Sequence, residues 1–314
     1  QRQSVQKALT KDAVPLKLKH AQLIILGTHQ ERSASVFWGA TALIPLDKHP
    51  LVTWKFCHLL HALIRDGHGS VLADSQSHIR RISRAGDFWL NLHASGYGEI
   101  NERYCSMICE RLEFHRKYPQ IPGNLMVSES LRRELYYDPS IAFEATVDVL
   151  DQMKSLLLLP RRVFKFLDYV KCPHNSQIQT ILAPLILVIS DTEQLYNLLV
   201  NLMGYLHTIY SPVAIWMQVK RFQVRHRVSC FPVVCFQLNN SQETHRQMLD
   251  FYNEARSNPY FAHHVKMPNI STTPPDFTGM THAYNYERTL AASRILLPDL
   301  VRDDPPPYEL LIDI

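Results

Sequence analysis

Glycine is scarce in this sequence: only 10 of the 314 residues are glycine. Strand-rich sandwiches depend on glycine at tight turns, and nucleotide-binding α/β folds depend on it in their phosphate-binding loops. The GxxxxGK[ST] motif is absent, and Gly96-Tyr97-Gly98 lacks the third glycine of a dinucleotide-binding loop. These absences disfavour both fold classes and leave an all-helical chain as the leading prediction.

Cysteine pairs and long apolar runs are missing as well. The six cysteines form no CxxC pair and are too few for a disulfide-rich secreted scaffold. The sequence starts at Gln1 without a signal peptide, and it contains no run of about 18 apolar residues. We therefore predict a fragment of a cytosolic protein whose contact with any membrane is peripheral. Cys105 and Cys109, one helical turn apart, are expected to be buried thiols rather than a metal or redox pair.

Motifs that carry catalysis are also lacking. The sequence contains neither HExxH nor GxSxG. His58 and His61 have the spacing closest to that of metal ligands, but their neighbours are apolar or aromatic, which favours core or interface histidines over zinc ligands. We predict no enzymatic activity, no bound metal and no cofactor.

What the sequence does contain is apolar residues at helical spacing, separated by prolines. Pro50 and Gly67 bracket one such segment, and this arrangement is typical of a helix over 51–66. Pro160 is expected to end a helix, and Pro184 to start or kink one. Successive helices with no fixed repeat period predict a stacked α-solenoid. The other predicted helices are 17–29, 33–44, 99–118, 141–159, 178–210 and 241–256.

Two segments depart from the helical pattern. Residues 222–238 are rich in valine, phenylalanine and cysteine, which favours extended backbone, and we interpret them as an atypical insertion. A locally misfit segment is preferred there over a basic, aromatic contact loop. From Pro268 onward, seven of the 19 prolines fall within 47 residues. The folded domain is therefore predicted to span 1–277, followed by a disordered, proline-rich tail over 278–314.

Positive charge is concentrated at the start of the sequence. The first twenty residues contain five lysine or arginine residues and one aspartate, which accounts for the whole net charge of +4. Lys7 is followed by nine residues and then by Lys17, Leu18, Lys19 and His20. Pro15 separates a short first helix from a second whose first turn holds the later basic residues. Because helix N-termini present free N–H groups and a positive dipole end, the arrangement predicts a site for several phosphates.

This motif resembles the inositol-lipid motif of ANTH domains, the superhelical domains at the front of endocytic clathrin adaptors. Within that class the sequence is similar to the huntingtin-interacting protein 1 and huntingtin-interacting protein 1-related family over roughly 4–214 and 241–277. The resemblance is carried by Ile25-Leu26-Gly27-Thr28-His29, Trp54-Lys55-Phe56-Cys57-His58, Arg65-Asp66-Gly67-His68, Gly96-Tyr97-Gly98 and Tyr118-Pro119-Gln120-Ile121-Pro122-Gly123-Asn124-Leu125.

The resemblance implies a right-handed superhelical α-solenoid and a non-catalytic domain. It assigns phosphoinositide binding to Lys7, Lys17, Lys19 and His20, at the cytoplasmic leaflet of clathrin-coated pits on the plasma membrane and of endocytic vesicles. It also implies that actin binding and dimerisation belong to regions outside this sequence. Each lysine near an anionic leaflet contributes about 1 kcal/mol, so such a site is weak and needs avidity.

The tail contains two short candidate motifs. Leu311-Ile312-Asp313-Ile314 fits the first four positions of a clathrin box, and clathrin is therefore a possible partner. Pro305-Pro306-Pro307-Tyr308 has the PPxY form that WW domains bind as a polyproline helix. For both motifs, the alternative is a linker that binds no partner.

Two other function classes stay open. In a helical protein-protein scaffold, the N-terminal lysines would be a solvated end that binds no lipid. A nucleic-acid binder would also attract phosphate, but no aromatic residues for base stacking are interleaved with the basic cluster. The lipid interpretation requires the four basic side chains to meet at one exposed place in the fold.

Overall fold

A computed structural model describes residues 1–92, 96–170, 175–209 and 230–275. All regular secondary structure in these ranges is helical, as predicted. The helices are α1 (Arg2–Ala8), α2 (Leu18–Glu31), α3 (Ser35–Thr41), α4 (Pro50–Asp66), α5 (Ser70–Gln76), α6 (Ile79–Asn91), α7 (Tyr97–Lys117), α8 (Glu129–Leu135), α9 (Pro139–Val170), α10 (Asn175–Leu182), α11 (Leu185–Ile209), α12 (Cys230–Ser257) and α13 (Pro259–His264).

The long helices pack on one another in chain order. Helix α4 contacts both α2 and α7. Helix α7 also packs on α6 and α9, and α9 packs on α11 and α12. Helix α4 is the most enclosed of them, since most of its side chains from Leu51 to Ile64 are buried. This succession agrees with the predicted stacking of helices around one continuous core.

Helix α4 has the ends that the sequence predicts. The ring nitrogen Nδ1 of His49 accepts a hydrogen bond from the amide of Leu51 at 3.3 Å, and Pro50 occupies the first turn. The amide of Gly67 closes the other end on the carbonyl of Leu63 at 2.9 Å. The prediction of 51–66 is confirmed to within one residue.

The two prolines expected to interrupt helices behave differently. Pro184 lies between α10 and α11, so a new helix begins there as one of the two predicted alternatives. Pro160 does not end its helix, because α9 continues through it from Pro139 to Val170. A proline inside a helix costs about 3 kcal/mol. Burial of the neighbouring Leu159 and Val163, both 0% exposed, offsets that cost and keeps the helix intact.

The sequence analysis missed four short helices, α5, α6, α8 and α13. Helix α6 carried a signal that was missed, since its buried residues Ile82, Ala85, Gly86 and Trp89 recur at the three- and four-residue spacing of a helix. The other three helices have only six or seven residues, which is too few to show such a pattern. At Gly86 a Cβ would lie 2.9 Å from the Cβ of Cys105, so glycine allows the close approach of α6 and α7.

The expectation of extended backbone over 222–238 is wrong where the structure describes it. Residues 230–238 form the first part of α12, and 222–229 lie outside the described residues. Once a helix has formed, each added residue gains a hydrogen bond, and this outweighs a local preference for strand. The later part of α12 is fixed in the core by Met248 and Tyr252, both 0% exposed. The predicted boundary at 277 and the tail 278–314 also lie outside the described residues.

A buried cluster of charged and polar side chains connects three helices. The carboxylate of Asp191, on α11, is fully buried and lies 2.7 Å from Nε2 of His61 and 3.4 Å from Nη2 of Arg111. It also pairs with the guanidinium of Arg65, on α4. Burial lowers the pKa of His61 well below its ordinary value, with help from the two arginines. The neutral ring therefore donates from Nε2 to Asp191 and accepts at Nδ1 from the hydroxyl of Tyr104, 3.1 Å away.

We expect Asp191→Ala to lower the free energy of unfolding by about 3–5 kcal/mol, because it leaves two arginines without their buried counter-charge. Urea unfolding followed by circular dichroism measures the loss. Asp151→Ala is the matched control, since Asp151 forms an exposed ion pair with Lys154 at 3.5 Å and should change stability by less than about 1 kcal/mol. Equal effects of the two substitutions would contradict the prediction.

Candidate anion-binding site

Helix α1 is fixed to the body of the protein and carries Lys7 in its last turn. Val5, on the opposite side of the helix, is 0% exposed. The amide nitrogen of the Gln1 side chain donates to the carbonyl of Ile24 on α2 at 3.0 Å. A Cβ at Gly27 would overlap that Gln1 side chain, so glycine is required for this close contact. Lys7 therefore extends from a helix whose position relative to α2 is set by packing.

The connection between α1 and α2 is held by a buried lysine on α4. The ammonium of Lys55, a residue only 2% exposed, donates to the carbonyls of Thr10 at 3.2 Å and Asp12 at 2.8 Å. Burial lowers the pKa of Lys55, and the charge of Asp12 partly opposes that shift. The hydroxyl of Ser176, on α10, donates to the carbonyl of Ala13 in the same connection. The core thus sets the path of the chain between Lys7 and Lys17.

The N-terminus of α2 is open to an anion. Lys17 is the N-cap residue, with extended backbone at φ −67° and ψ 116°, and no side chain caps the helix. The first turn holds no acidic residue. The first backbone hydrogen bond of the helix runs from the amide of His20 to the carbonyl of Lys17 at 2.9 Å. The preceding N–H groups and the positive end of the helix dipole are therefore available to a bound anion.

The structure brings together the four basic residues singled out in the sequence. Lys7, Lys17 and Lys19 are exposed, and His20 is half-buried. Burial lowers the pKa of His20, and the charges of Lys19, Lys7 and Lys17 lower it further, so all three lysines lie close enough to act on its ring. We call these four residues the basic cluster.

Nothing within the described residues neutralises the basic cluster. No carboxylate there lies within ion-pair distance of Lys7, Lys17 or Lys19, although several other surface lysines and arginines have such partners. Nδ1 of His20 is enclosed and has no hydrogen-bond partner. The like charges of the three lysines repel one another, so an anion with several negative oxygens would be attracted by all three at once.

Sequence reasoning missed the role of Lys55. The signal was present, because a lysine stands between Trp54 and Phe56 on a helix that is otherwise apolar at this point. A lysine in such a place must find polar partners when the helix is buried. The sequence alone does not show that those partners are backbone carbonyls 43 and 45 residues away.

The other residues considered for chemistry are buried or half-buried. His61 is the core histidine that the sequence predicts, since it is hydrogen-bonded at both ring nitrogens. Burial lowers the pKa of His58 to about 4. Cys105 is a buried thiol as expected, and its Sγ lies 3.5 Å from that of Cys57. Cys109 is only half-buried, which corrects the expectation for that residue, and burial raises the pKa of its thiol to about 12. Among the described residues, no group of three potential metal-binding side chains occurs.

The candidate motifs of the tail, Leu311–Ile314 and Pro305–Tyr308, lie outside the described residues. In the part of the chain that is described, no helix combines the length and the apolar character needed to cross a bilayer.

Comparisons with known proteins identify relatives of the chain. "Huntington interacting protein related 1" of Caenorhabditis elegans is 37% identical over 289 residues, which are 91% of this chain and 29% of that protein. Human "Huntingtin-interacting protein 1" is 32% identical over 278 residues, 87% of this chain and 25% of that protein. "Endocytosis protein end4" of Schizosaccharomyces pombe is 22% identical over 88% of this chain and 23% of its own length. The chain thus spans about a quarter of the length of these relatives.

A solved structure has the same fold. It is the ENTH domain from epsin-2 in complex with phosphatidylinositol 4,5-bisphosphate, which matches with a TM-score of 0.72 at 16% identity over 86% of this chain and 96% of that one. Residues 1–286 match the family model described as ANTH domain. Since that match includes every described residue and most of the sequence, the chain belongs to the ANTH domain family.

Proposed function

We propose that this domain binds phosphoinositide headgroups through Lys7, Lys17, Lys19 and His20 and thereby recruits an endocytic clathrin adaptor to membranes. The observation that carries the proposal is the convergence of four basic side chains, without an acidic partner within the described residues, at an uncapped helix N-terminus. A structural neighbour of the domain was solved with phosphatidylinositol 4,5-bisphosphate, which supports the same class of ligand here.

The proposed binding is electrostatic and reversible. The lysines supply mobile point charges, and the first-turn N–H groups of α2 supply directed donors. Each lysine near an anionic leaflet contributes about 1 kcal/mol, so one domain alone binds weakly. We propose that dimerisation, together with actin binding, occurs through other parts of the full-length protein and provides the avidity. Clathrin contact through Leu311–Ile314 belongs to the same proposal.

The proposed place of action is the cytoplasmic leaflet at endocytic sites, including clathrin-coated pits of the plasma membrane. The domain acts there by binding, without catalysis. A protein scaffold without lipid binding is the second candidate. It does not explain why four basic groups lie together at the N-terminus of α2 without a carboxylate partner in the described residues. A nucleic-acid ligand would need exposed aromatic side chains for stacking, and the basic cluster contains none.

The direct test is vesicle co-sedimentation with a charge-reversal variant. Wild type should sediment with phosphatidylcholine vesicles that contain a few per cent of phosphoinositide, and more weakly at higher salt. Lys17→Glu with Lys19→Glu should abolish sedimentation, because it replaces attraction by repulsion at the helix N-terminus. Lys165→Glu with Lys266→Glu is the matched control, since both lysines are exposed and the change in net charge is the same. Equal sedimentation of the two variants would leave the scaffold as the better interpretation.

Phosphoinositide binding should strengthen as the pH falls from 7.5 toward 6. The three lysines and burial hold the pKa of His20 below its ordinary value in the free protein, so the ring is neutral at pH 7.5. Bound phosphates favour the charged ring and raise that pKa, so binding takes up a proton. Vesicle titrations at several pH values measure the effect, and His20→Gln should remove the increase. An identical pH profile in wild type and variant would show that His20 takes no part.

Lys55→Met should weaken vesicle binding severalfold although Lys55 does not belong to the basic cluster. The substitution keeps the length of the side chain but removes the ammonium that holds the carbonyls of Thr10 and Asp12. Amide hydrogen exchange in residues 9–17 should accelerate at the same time. Weaker binding without faster exchange in this connection would contradict a positioning role for Lys55.

A further inference from the structure

The outer face of α2 contains two leucines that the fold leaves exposed. Leu23 and Leu26 are 53% and 52% exposed. Their spacing places them on one face of the helix, in line with Lys19. Leu26 lies about 10 Å from Lys19 along the helix axis. The leucines are therefore neighbours of the basic cluster on a continuous surface.

Two further apolar side chains are exposed at the start of the same helix. Val14 is 40% exposed and Leu18 is 37% exposed, on either side of Lys17. Single exposed apolar residues are common, but four exposed apolar side chains within residues 14–26, beside the basic cluster, indicate an interaction surface. We call Val14, Leu18, Leu23 and Leu26 the apolar rim.

The apolar rim is not needed to attach α2 to the protein. The opposite side of the helix, formed by Ala21, Ile24, Gly27 and Thr28, is buried. Ile24 and Thr28 are 0% exposed. The leucines of the rim thus cost little stability to replace, and their exposure requires another explanation.

The charge of this face indicates what covers it. Residues 13–30 contain no aspartate or glutamate, so the exposed positions of α2 up to Gln30 carry lysine, leucine, glutamine and histidine. An anionic lipid leaflet matches this chemistry, because headgroups attract the lysines and the acyl boundary accepts the leucines. An acidic protein surface would match the lysines but offers less to four apolar side chains.

From these observations we infer that the outer face of α2 rests on the leaflet, with the apolar rim in contact with the acyl boundary while the basic cluster holds a headgroup. The inference rests on the proposed function and adds an apolar component to it. Binding to a vesicle would then exceed binding to the same headgroup in solution by the contribution of the rim.

The test compares two probes with one rim variant. Leu23→Gln with Leu26→Gln should bind phosphatidylcholine vesicles containing phosphoinositide about tenfold more weakly than wild type, since two inserted leucine side chains are lost. Its affinity for soluble inositol trisphosphate should not change. Leu90→Gln in the last turn of α6 with Leu92→Gln just after that helix is the matched control, because those leucines are 42% and 53% exposed and should affect neither probe.

The outcomes separate this inference from the proposed function. Vesicle binding at the wild-type level in the rim variant would overturn the lipid contact and point to a protein partner for this face. Loss of inositol trisphosphate binding in that variant would also overturn it, because the leucines would then support the headgroup site itself. Failure of the wild-type protein to bind either probe would instead remove the proposed function. Circular dichroism checks that each variant is folded.

Discussion

The fully buried carboxylate of Asp191 is the contact on which the stacking of the long helices depends. It brings α11 against α4, where it meets His61 and Arg65, and against α7, where it meets Arg111. A buried carboxylate must be paired, and its partners come from two other helices, so the polar contacts favour this arrangement of α4, α7 and α11 over arrangements that would leave Asp191 unpaired. Apolar packing alone tolerates small shifts of one helix along another. The buried charges thus add specificity to a core that hydrophobic burial stabilises.

The candidate site depends on this core through α4. That helix carries His61 and Arg65 toward one end, and Lys55 less than two turns before His61. The ammonium of Lys55 donates to the carbonyls of Thr10 and Asp12 and so holds the connection between α1 and α2 against α4. The geometry of the basic cluster is therefore set from the interior, although the cluster itself lies at the surface. If the lysines lay on a flexible N-terminal segment, binding would have to order that segment, and the entropy lost would weaken the affinity.

The sequence predicted what depends on neighbouring residues. Helix α4 was found because Pro50 and Gly67 mark its ends, and the basic cluster was found because Lys7 and Lys17 through His20 follow a spacing typical of a known family. It could not predict what depends on distant residues. The pairing of His61 with Asp191 spans 130 positions, and the continuation of α9 through Pro160 reflects the helices that pack around it. A single sequence contains no signal for such contacts, because they follow from the fold.

The protein uses charge in two opposite ways. In the interior, Arg65 and Arg111 lie against Asp191, because an unpaired charge where water is excluded would lower the stability of the fold. At the basic cluster the lysines stay without carboxylate partners in the described structure, and water and salt keep the cost of their repulsion small. An anion that reaches the cluster removes this repulsion and gains the open N-terminus of α2, so the strain of the free state becomes part of the driving force for binding. Because each such contribution is small and screened, an apolar contact beside the cluster would give the domain a component of membrane affinity that salt does not weaken.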